Sequence, residues 1–382
     1  MGNIDWSMLL AGLTHIGWQN VVMIGLACLL LWVAIAKGAE PLLIIPIAFG
    51  ILLANIPLSR MGATDQGGVL SILYNAGILT EILPSLIFVG LGAMMDWGPM
   101  LANPNLLIFG AAGQVGIFLT LILCLAVGFT KQQAAAISII GACDGPTAIY
   151  FGSLYARDML PAISIAAYSY MSLVPIIQPP IIRLLTTKKE RAVLMPTSPA
   201  KKIVSRRTRI LFPLVAGIFG MLIAPFGAPL WGMFMFGNFL RECGVVERLT
   251  KVAEGALIDI VTLLLGITVG CSLLAGNFMT KNTMLVLLFG IIAISLDTVG
   301  GVLLGKIAYL FTHGKFNPMI GAAGTSAFPM SSRVVQREGQ RANPRSFLLW
   351  HAVGANTGGQ CASVMAAAVM LAILAALGIK PM

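Results

Sequence analysis

The sequence predicts an all-α polytopic membrane protein of about ten transmembrane helices in two inverted repeats, each with a re-entrant hairpin and interrupted helices. Three observations lead there: a composition suited only to a bilayer, a series of apolar runs of spanning length, and motifs that recur in the same order in both halves. Of 382 residues, 58% are hydrophobic and 10% charged, where a soluble domain carries about 25% charged residues. Glycine (42) and proline (20) are abundant, which suits closely packed, interrupted membrane helices.

Runs long enough to cross a hydrocarbon core of about 30 Å fall at 18–37, 41–58, 69–95, 105–128 and 160–185, then at 210–225, 228–241, 249–275, 283–311 and 346–378. Two further apolar stretches, 132–155 and 316–332, are studded with Gly, Pro and small residues. They can enter the bilayer and return, but they are poorly suited to straight helices. Residues 1–185 form the first repeat, 186–209 a basic linker, and 210–382 the second repeat.

The halves match in order. Glu40-Pro41-Leu42-Leu43 resembles Ala228-Pro229-Leu230-Trp231, and Gly90-Leu91-Gly92-Ala93 resembles Gly270-Cys271-Ser272-Leu273. Gly141-Ala142-Cys143-Asp144 resembles Gly321-Ala322-Ala323-Gly324, at an offset of 180, and Gln178 answers Gln360. An odd number of crossings per half inverts the second copy, the layout of secondary transporters. Charge tests the topology separately. The linker holds Lys188, Lys189, Arg191, Lys201, Lys202, Arg206, Arg207 and Arg209, so it is expected in the cytoplasm. Counting outward from it puts 18 of the 24 basic residues inside and both termini outside. The first hairpin then enters from outside, the second from inside, and their tips face each other near the midplane.

The formal charge of +10 sits on loops and not on a soluble basic domain, so no nucleic-acid partner is expected. Six scattered cysteines form no CxxC pair, and three histidines lack ligand spacing. No cleavable signal pattern appears, since the first 20 residues contain no Lys or Arg.

Within this apolar chain, Asp144 stands out. A carboxylate at membrane depth costs about 3 kcal/mol even on the lenient insertion scale. Gly145, Pro146 and Thr147 follow it, breaking helical hydrogen bonding and offering carbonyl and hydroxyl oxygens. Hard cations such as Na⁺ take oxygen ligands, by the same logic as Ca²⁺ and Mg²⁺, so this stretch reads as an alkali-cation site. The second hairpin, Asn317-Pro318 through Arg333, adds Asn317 and Ser326; the final run breaks at Gly354-Ala355-Asn356-Thr357-Gly358-Gly359-Gln360. Opposite it lies Tyr168-Ser169-Tyr170-Met171-Ser172, then Gln178-Pro179-Pro180. Read singly, Tyr170 is a packed or interfacial hydroxyl, Asn317 and Asn356 are helix–helix contacts, and the glycines are close packing. Asp297 lacks Gly-Pro surroundings and reads as structural or secondary.

Taken together, Asp144 through Ala148, Ala167 through Met171, Gln178-Pro179-Pro180 and Asn317 through Arg333 resemble the β subunit of the sodium-pumping, biotin-dependent decarboxylases acting on oxaloacetate, methylmalonyl-CoA or glutaconyl-CoA. Leu101-Ala102-Asn103-Pro104, Met233 through Asn238 and Gly244 through Leu249 match as well, so the resemblance runs through essentially the whole chain. It implies a subunit in the bacterial cytoplasmic (inner) membrane that couples decarboxylation of carboxybiotin to Na⁺ export and consumes a proton. Its implied partners are a carboxyltransferase subunit, a biotin carrier subunit and a small single-span membrane subunit, with membrane lipid around a homotrimer. Asp144 is then the principal Na⁺ ligand. Tyr170, Asn317, Gly321, Ser326 and Asn356 complete the ion and proton path, and Arg333 meets carboxybiotin at the cytoplasmic opening.

The chain departs from that pattern at Cys143, at Ser331-Ser332 and at Thr357 through Cys361, which blurs the acid being decarboxylated. Two rivals use other chemistry. A stand-alone cation-coupled carrier fits the same inverted-repeat layout. An intramembrane aspartyl enzyme needs two facing carboxylates sharing a proton, and Asp144 has no partner motif.

Overall fold

The computed structural model describes residues 11–38, 40–195, 204–274, 276 and 280–381, with backbone alone at Ser172. Among the described residues all regular structure is helical. Helix α1 (Trp18–Lys37) ends at Gly38, whose φ of 64° allows the left-handed cap, and packs beside α2 (Pro41–Asn55). Helices α3 (Val69–Gly77) and α4 (Ile82–Met94) follow each other across a bend of 63°. Helices α5 (Leu106–Ala112) and α6 (Val115–Val127) continue each other across a break at Gly113-Gln114.

The first hairpin is α7 (Lys131–Ser138), a tight turn at Ile139–Ala142, and α8 (Gly145–Tyr155). Thr130 opens it with a capping box: its hydroxyl accepts from the Gln133 amide, and the Gln133 side chain accepts from the Thr130 amide. Helix α9 (Leu160–Leu185) holds Pro175, Pro179 and Pro180 and turns by 63° near its middle. After a short helix at Lys188–Arg191, residues 196–203 of the linker lie outside the described residues.

The second half comprises α10 (Arg206–Ile223), α11 (Ala228–Cys243), α12 (Ile258–Cys271) and α13 (Lys281–Phe311). The second hairpin follows, as a tight helical stretch at Pro318–Gly324, a non-helical tip, and α14 (Met330–Ala342). The last helix is α15 (Leu349–Ala376).

Among the described residues, five helices are long and apolar enough to cross a membrane, and seven if each bent pair counts as one span. The other expected runs do fold as helices, but physical reasons keep them below that threshold. Helix α2 has 15 residues and α11 has 16, and α10 opens on Arg206, Arg207 and Arg209. Each is short, or carries charge where a span needs none.

Packing between the halves is reciprocal. Asn55 at the end of α2 donates to the Leu273 carbonyl just past α12 at 2.7 Å, and Asn238 of α11 donates to the Met95 carbonyl just past α4 at 2.9 Å. Close helix approach accompanies both. Gly50 and Gly270 face backbone carbonyls across α2–α12, as Gly92 and Gly237 do across α4–α11. The two hairpins touch at their tips, where the Ser326 amide donates to the Ala142 carbonyl at 3.2 Å.

Candidate functional site

Asp144 sits where the first hairpin turns. Cys143 before it is left-handed (φ 55°), Asp144 is extended, and α8 begins at Gly145 with Pro146 in its first turn. Proline suits that position because the first helical amides lack intrahelical acceptors in any case. The carboxylate therefore lies at a helix N-terminus, where the aligned peptide dipoles favour negative charge.

Three side chains converge on one carboxylate oxygen. Thr147 donates to Oδ2 at 2.5 Å, Gln360 through Nε2 at 3.1 Å, and Ser363 through its hydroxyl at 3.3 Å. Gln360 and Ser363 come from α15, so the last helix completes a site begun by the first hairpin. Asp144 is 4% exposed. Its partners are neutral, and each carries an oxygen that a hard cation can use.

Tyr168 flanks the other side. Its ring lies against Gly145, where a Cβ would strike it, and its hydroxyl is buried with no hydrogen-bond partner. The hydroxyl is close enough to Asp144 to feel its charge. The second hairpin forms the wall beyond. Ser326 donates through its hydroxyl to the Gly359 carbonyl at 2.9 Å, and Asn356 donates to the Thr325 carbonyl at 2.6 Å. The Asn356 side-chain oxygen and the Thr357 hydroxyl are buried without partners, leaving oxygen lone pairs turned inward.

Gln178 ties α9 to the same tip, donating to the Ala322 carbonyl at 3.0 Å and to the Thr325 and Ser331 hydroxyls at 3.3 Å each. Gln114, at the α5–α6 break, points its amide at the Gly110, Gly324 and Gly359 carbonyls. These two glutamines hold the carbonyls of the unwound backbone in place.

The structure thus brings Asp144, Ser326 and Asn356 into one cluster through the shared segment Gly359–Gln360 and the tip-to-tip contact. Among the described residues, no hydrogen bond joins Tyr170, Asn317 or Gly321 to Asp144. Tyr170 donates to the Leu287 carbonyl of α13 at 2.7 Å. Asn317 caps its own turn by accepting from the Met319 amide, and donates to the Arg191 and Val193 carbonyls at 3.0 and 2.9 Å. It ties the base of the second hairpin to the linker. Gly321 abuts Gly301 of α13, and a Cβ on either would run into the other's carbonyl, so close approach explains that glycine.

Arg333 lies exposed in the first turn of α14, with Arg337 one turn on along the same face. Farther along α14, Glu338 is buried between Arg183 and Arg341, at 2.7 and 2.6 Å. Burial alone pushes its carboxyl up, but the two guanidiniums outweigh that and hold it below the ordinary carboxylate range.

Thr147 belongs to the stretch that sequence reasoning reads as a cation site; Tyr168, Gln360 and Ser363 are the site residues it did not select as ligands. The polar Thr357 through Cys361 break in an apolar run was the available signal for Gln360; nothing in the chain pointed to Ser363.

Known proteins bear on the same assembly. Residues 19–374 match the family model of the Na⁺-transporting oxaloacetate decarboxylase beta subunit. The methylmalonyl-CoA decarboxylase subunit beta of Veillonella parvula is 48% identical over 355 residues, covering 93% of each chain. The glutaconyl-CoA decarboxylase subunit beta of Acidaminococcus fermentans is 45% identical, covering 95% of this chain and 96% of its own. An oxaloacetate decarboxylase beta chain of Salmonella typhi is 43% identical, covering 94% and 96%. With nearly its full length aligned at these identities, the chain belongs to the family of Na⁺-transporting oxaloacetate decarboxylase beta subunits.

Proposed function

We propose that this protein is the membrane subunit of a primary Na⁺ pump that couples decarboxylation of carboxybiotin to Na⁺ export. The observation that carries the reading is the convergence of Thr147, Gln360 and Ser363 on a single intramembrane carboxylate, Asp144, at the meeting point of the two hairpins. A lone carboxylate among neutral oxygens binds an alkali cation firmly enough for capture and loosely enough for release. Family membership supplies the reaction to which this site is coupled.

The reciprocal Asn55–Leu273 and Asn238–Met95 contacts support two inverted repeats. About ten crossings follow if α2, α10 and α11 span the bilayer together with the seven longer or bent candidates. Domain limits of 1–185, 186–209 and 210–382 fit this arrangement. The basic linker then faces the cytoplasm of a bacterial inner membrane, both termini lie outside, and α14 presents Arg333 inward.

When bound on its carrier subunit, carboxybiotin supplies a labile N–carboxylate: the N–C bond breaks, CO₂ leaves, and the nitrogen keeps the electron pair and takes a proton. The residues of this chain bind and order the participants. Arg333 and Arg337 give the anion a cationic landing. Asp144, with Ser326 and Asn356 behind it, holds Na⁺ as cargo. Thr147, Gln360 and Ser363 bond the carboxylate when the ion has gone, so the emptied site does not leave a bare buried charge. Tyr170, Asn317 and Gly321 serve from the periphery, orienting α9 and the base of the second hairpin. A carboxyltransferase subunit, a biotin carrier and a small single-span subunit complete the complex, with a trimer of this chain in the membrane.

The test is purification of the native complex, followed by decarboxylation assays over oxaloacetate, methylmalonyl-CoA and glutaconyl-CoA with and without Na⁺. One acid should be consumed at a Na⁺-stimulated rate. Consumption that ignores Na⁺ would refute the pump.

A further inference from the structure

A second carboxylate lies in the membrane core, and the Na⁺ site does not use it. Asp297 on α13 is fully buried, and neither carboxylate oxygen has a hydrogen bond of normal geometry. It faces the Gly116 and Ile117 amides in the first turn of α6, just past the Gly113-Gln114 break. A Cβ on Gly116 would collide with it, and Gly141 of the first hairpin borders its other oxygen. The site is thus shaped around a carboxyl group, with two glycines making room. Asp297 and Asp144 both lie near enough to Cys143 to act on it electrostatically, so the two carboxyls flank one hairpin tip.

The surroundings decide which ligand fits. Around Asp144 stand Thr147, Gln360 and Ser363, each with an oxygen to offer a cation. Around Asp297 stand backbone N–H donors, which bond a carboxyl but cannot ligate Na⁺. Thr120, one turn beyond Gly116 on the same face of α6, adds one buried hydroxyl without a partner. The titratable groups facing this stretch are Cys143 and, beyond it, Asp144 from the first hairpin, and Tyr170 from α9, whose hydroxyl is committed to the Leu287 carbonyl. Of the two lysines of α13, Lys306 is engaged with Glu190 and the Leu185 carbonyl, and Lys281 is the exposed first residue of the helix. No cation neutralises Asp297 among the described residues. A helix N-terminus offsets part of the cost of a buried negative charge but not all of it, which leaves the carboxyl able to gain and lose a proton within a working cycle.

We propose that Asp297 is a proton-binding carboxyl of this protein, separate from the Na⁺ site at Asp144 and relayed through the Thr120 hydroxyl. Its proton is the one taken by the biotin nitrogen when the N–C bond breaks and CO₂ leaves. That destination rests on the pump reading above; protonation of Asp297 itself does not.

Two measurements test this. Infrared difference spectra of the purified chain, titrated with pH at saturating Na⁺, should contain the carbonyl stretch of a protonated carboxyl in wild type and in Asp144→Asn, and lose it in Asp297→Asn. In the assembled complex, Asp297→Asn should lower turnover by about 100-fold with the Na⁺ half-saturation unchanged, whereas Asp297→Glu should restore turnover with a displaced pH profile. An unchanged infrared band in Asp297→Asn overturns the proposal. So does wild-type turnover and pH profile in that variant, or a many-fold rise in its Na⁺ requirement, which would make Asp297 an ion ligand. If Asp297→Asn fails to assemble, an Asp297→Glu complex with the wild-type pH profile overturns it too. Should the complex prove not to be a pump, the infrared result still stands or falls alone.

Discussion

The two hairpins meet tip to tip, yet they bring opposite chemistry. The first ends in a charge: Asp144 at the start of α8, held by Thr147 and by two residues of α15. The second ends in no charge at all. Its tip offers the Ser326 hydroxyl and Thr325 backbone, pinned by Asn356, Gln178 and Gln114. Its charges begin a turn later, on α14, where Arg333 and Arg337 are exposed. One hairpin therefore ends in a buried carboxylate, and the other ends in a neutral wall with exposed arginines beyond it. Similar backbone breaks carry different side chains, which is the division of labour that the proposed pump needs.

The sharpest way to break this contrast is by access. With Lys131→Cys at the base of the first hairpin and Arg337→Cys beyond the second, both exposed positions, a membrane-impermeant thiol reagent in a cysteine-free background should label the first only from outside. The second should label only from inside. Labelling of both from one face would remove the inverted arrangement.

Next in size is Gln360→Leu, which keeps bulk but deletes one donor to the Asp144 carboxylate. Hydrogen bonds to charged groups contribute about 1.5–3 kcal/mol, so Na⁺ half-saturation of decarboxylation should shift by about 10- to 100-fold. A change below twofold would show that α15 only packs against the site. Ser326→Ala, on the uncharged side, removes a neutral bond to the Gly359 carbonyl. Its expected effect is smaller, about 3- to 10-fold in Na⁺ half-saturation. An effect larger than that of Gln360→Leu would reverse the roles given to the two hairpins.

The smallest effect belongs to Glu338 on α14. Its carboxyl is held below the ordinary range by Arg183 and Arg341, despite burial. A carboxyl depressed in the folded state contributes stability above its unfolded value near 4.5, and that contribution is lost as pH falls through the folded value. Both arginines are about half exposed, so solvent screening limits the contribution to about 1 kcal/mol. Glu338→Gln should therefore lower the thermal midpoint slightly at neutral pH, and the gap from wild type should close below pH 4.5. A gap that persists into acid would assign Glu338 a purely steric role.

The sequence exposed the parts of the site whose cost is local. A carboxylate followed by Gly-Pro-Thr inside an apolar run is anomalous wherever the chain later goes, so Asp144 was legible. The helical, multi-span character was equally so, because composition and run length carry it. Contacts that depend on where distant helices cross were not. Gln360 and Ser363 lie 216 and 219 residues from Asp144 in the chain. Which tyrosine faces the carboxylate depends on the turn of α9, and it is Tyr168 whose ring covers Gly145 while Tyr170 bonds to α13. Asn317 shows the limit from the other side. Its donors reach the Arg191 and Val193 carbonyls of the linker, a contact that only three-dimensional placement reveals.

The central claim is that Asp144 binds the transported ion. Uptake of radioactive Na⁺ into proteoliposomes containing the whole complex, driven by decarboxylation, tests it most directly when Asp144→Asn is compared with wild type. Neutralising the side chain lowers the insertion cost, so the variant should insert and assemble normally. Its Na⁺ uptake and Na⁺-stimulated decarboxylation should both fall to background. Uptake near the wild-type rate from an assembled Asp144→Asn complex would contradict the assignment.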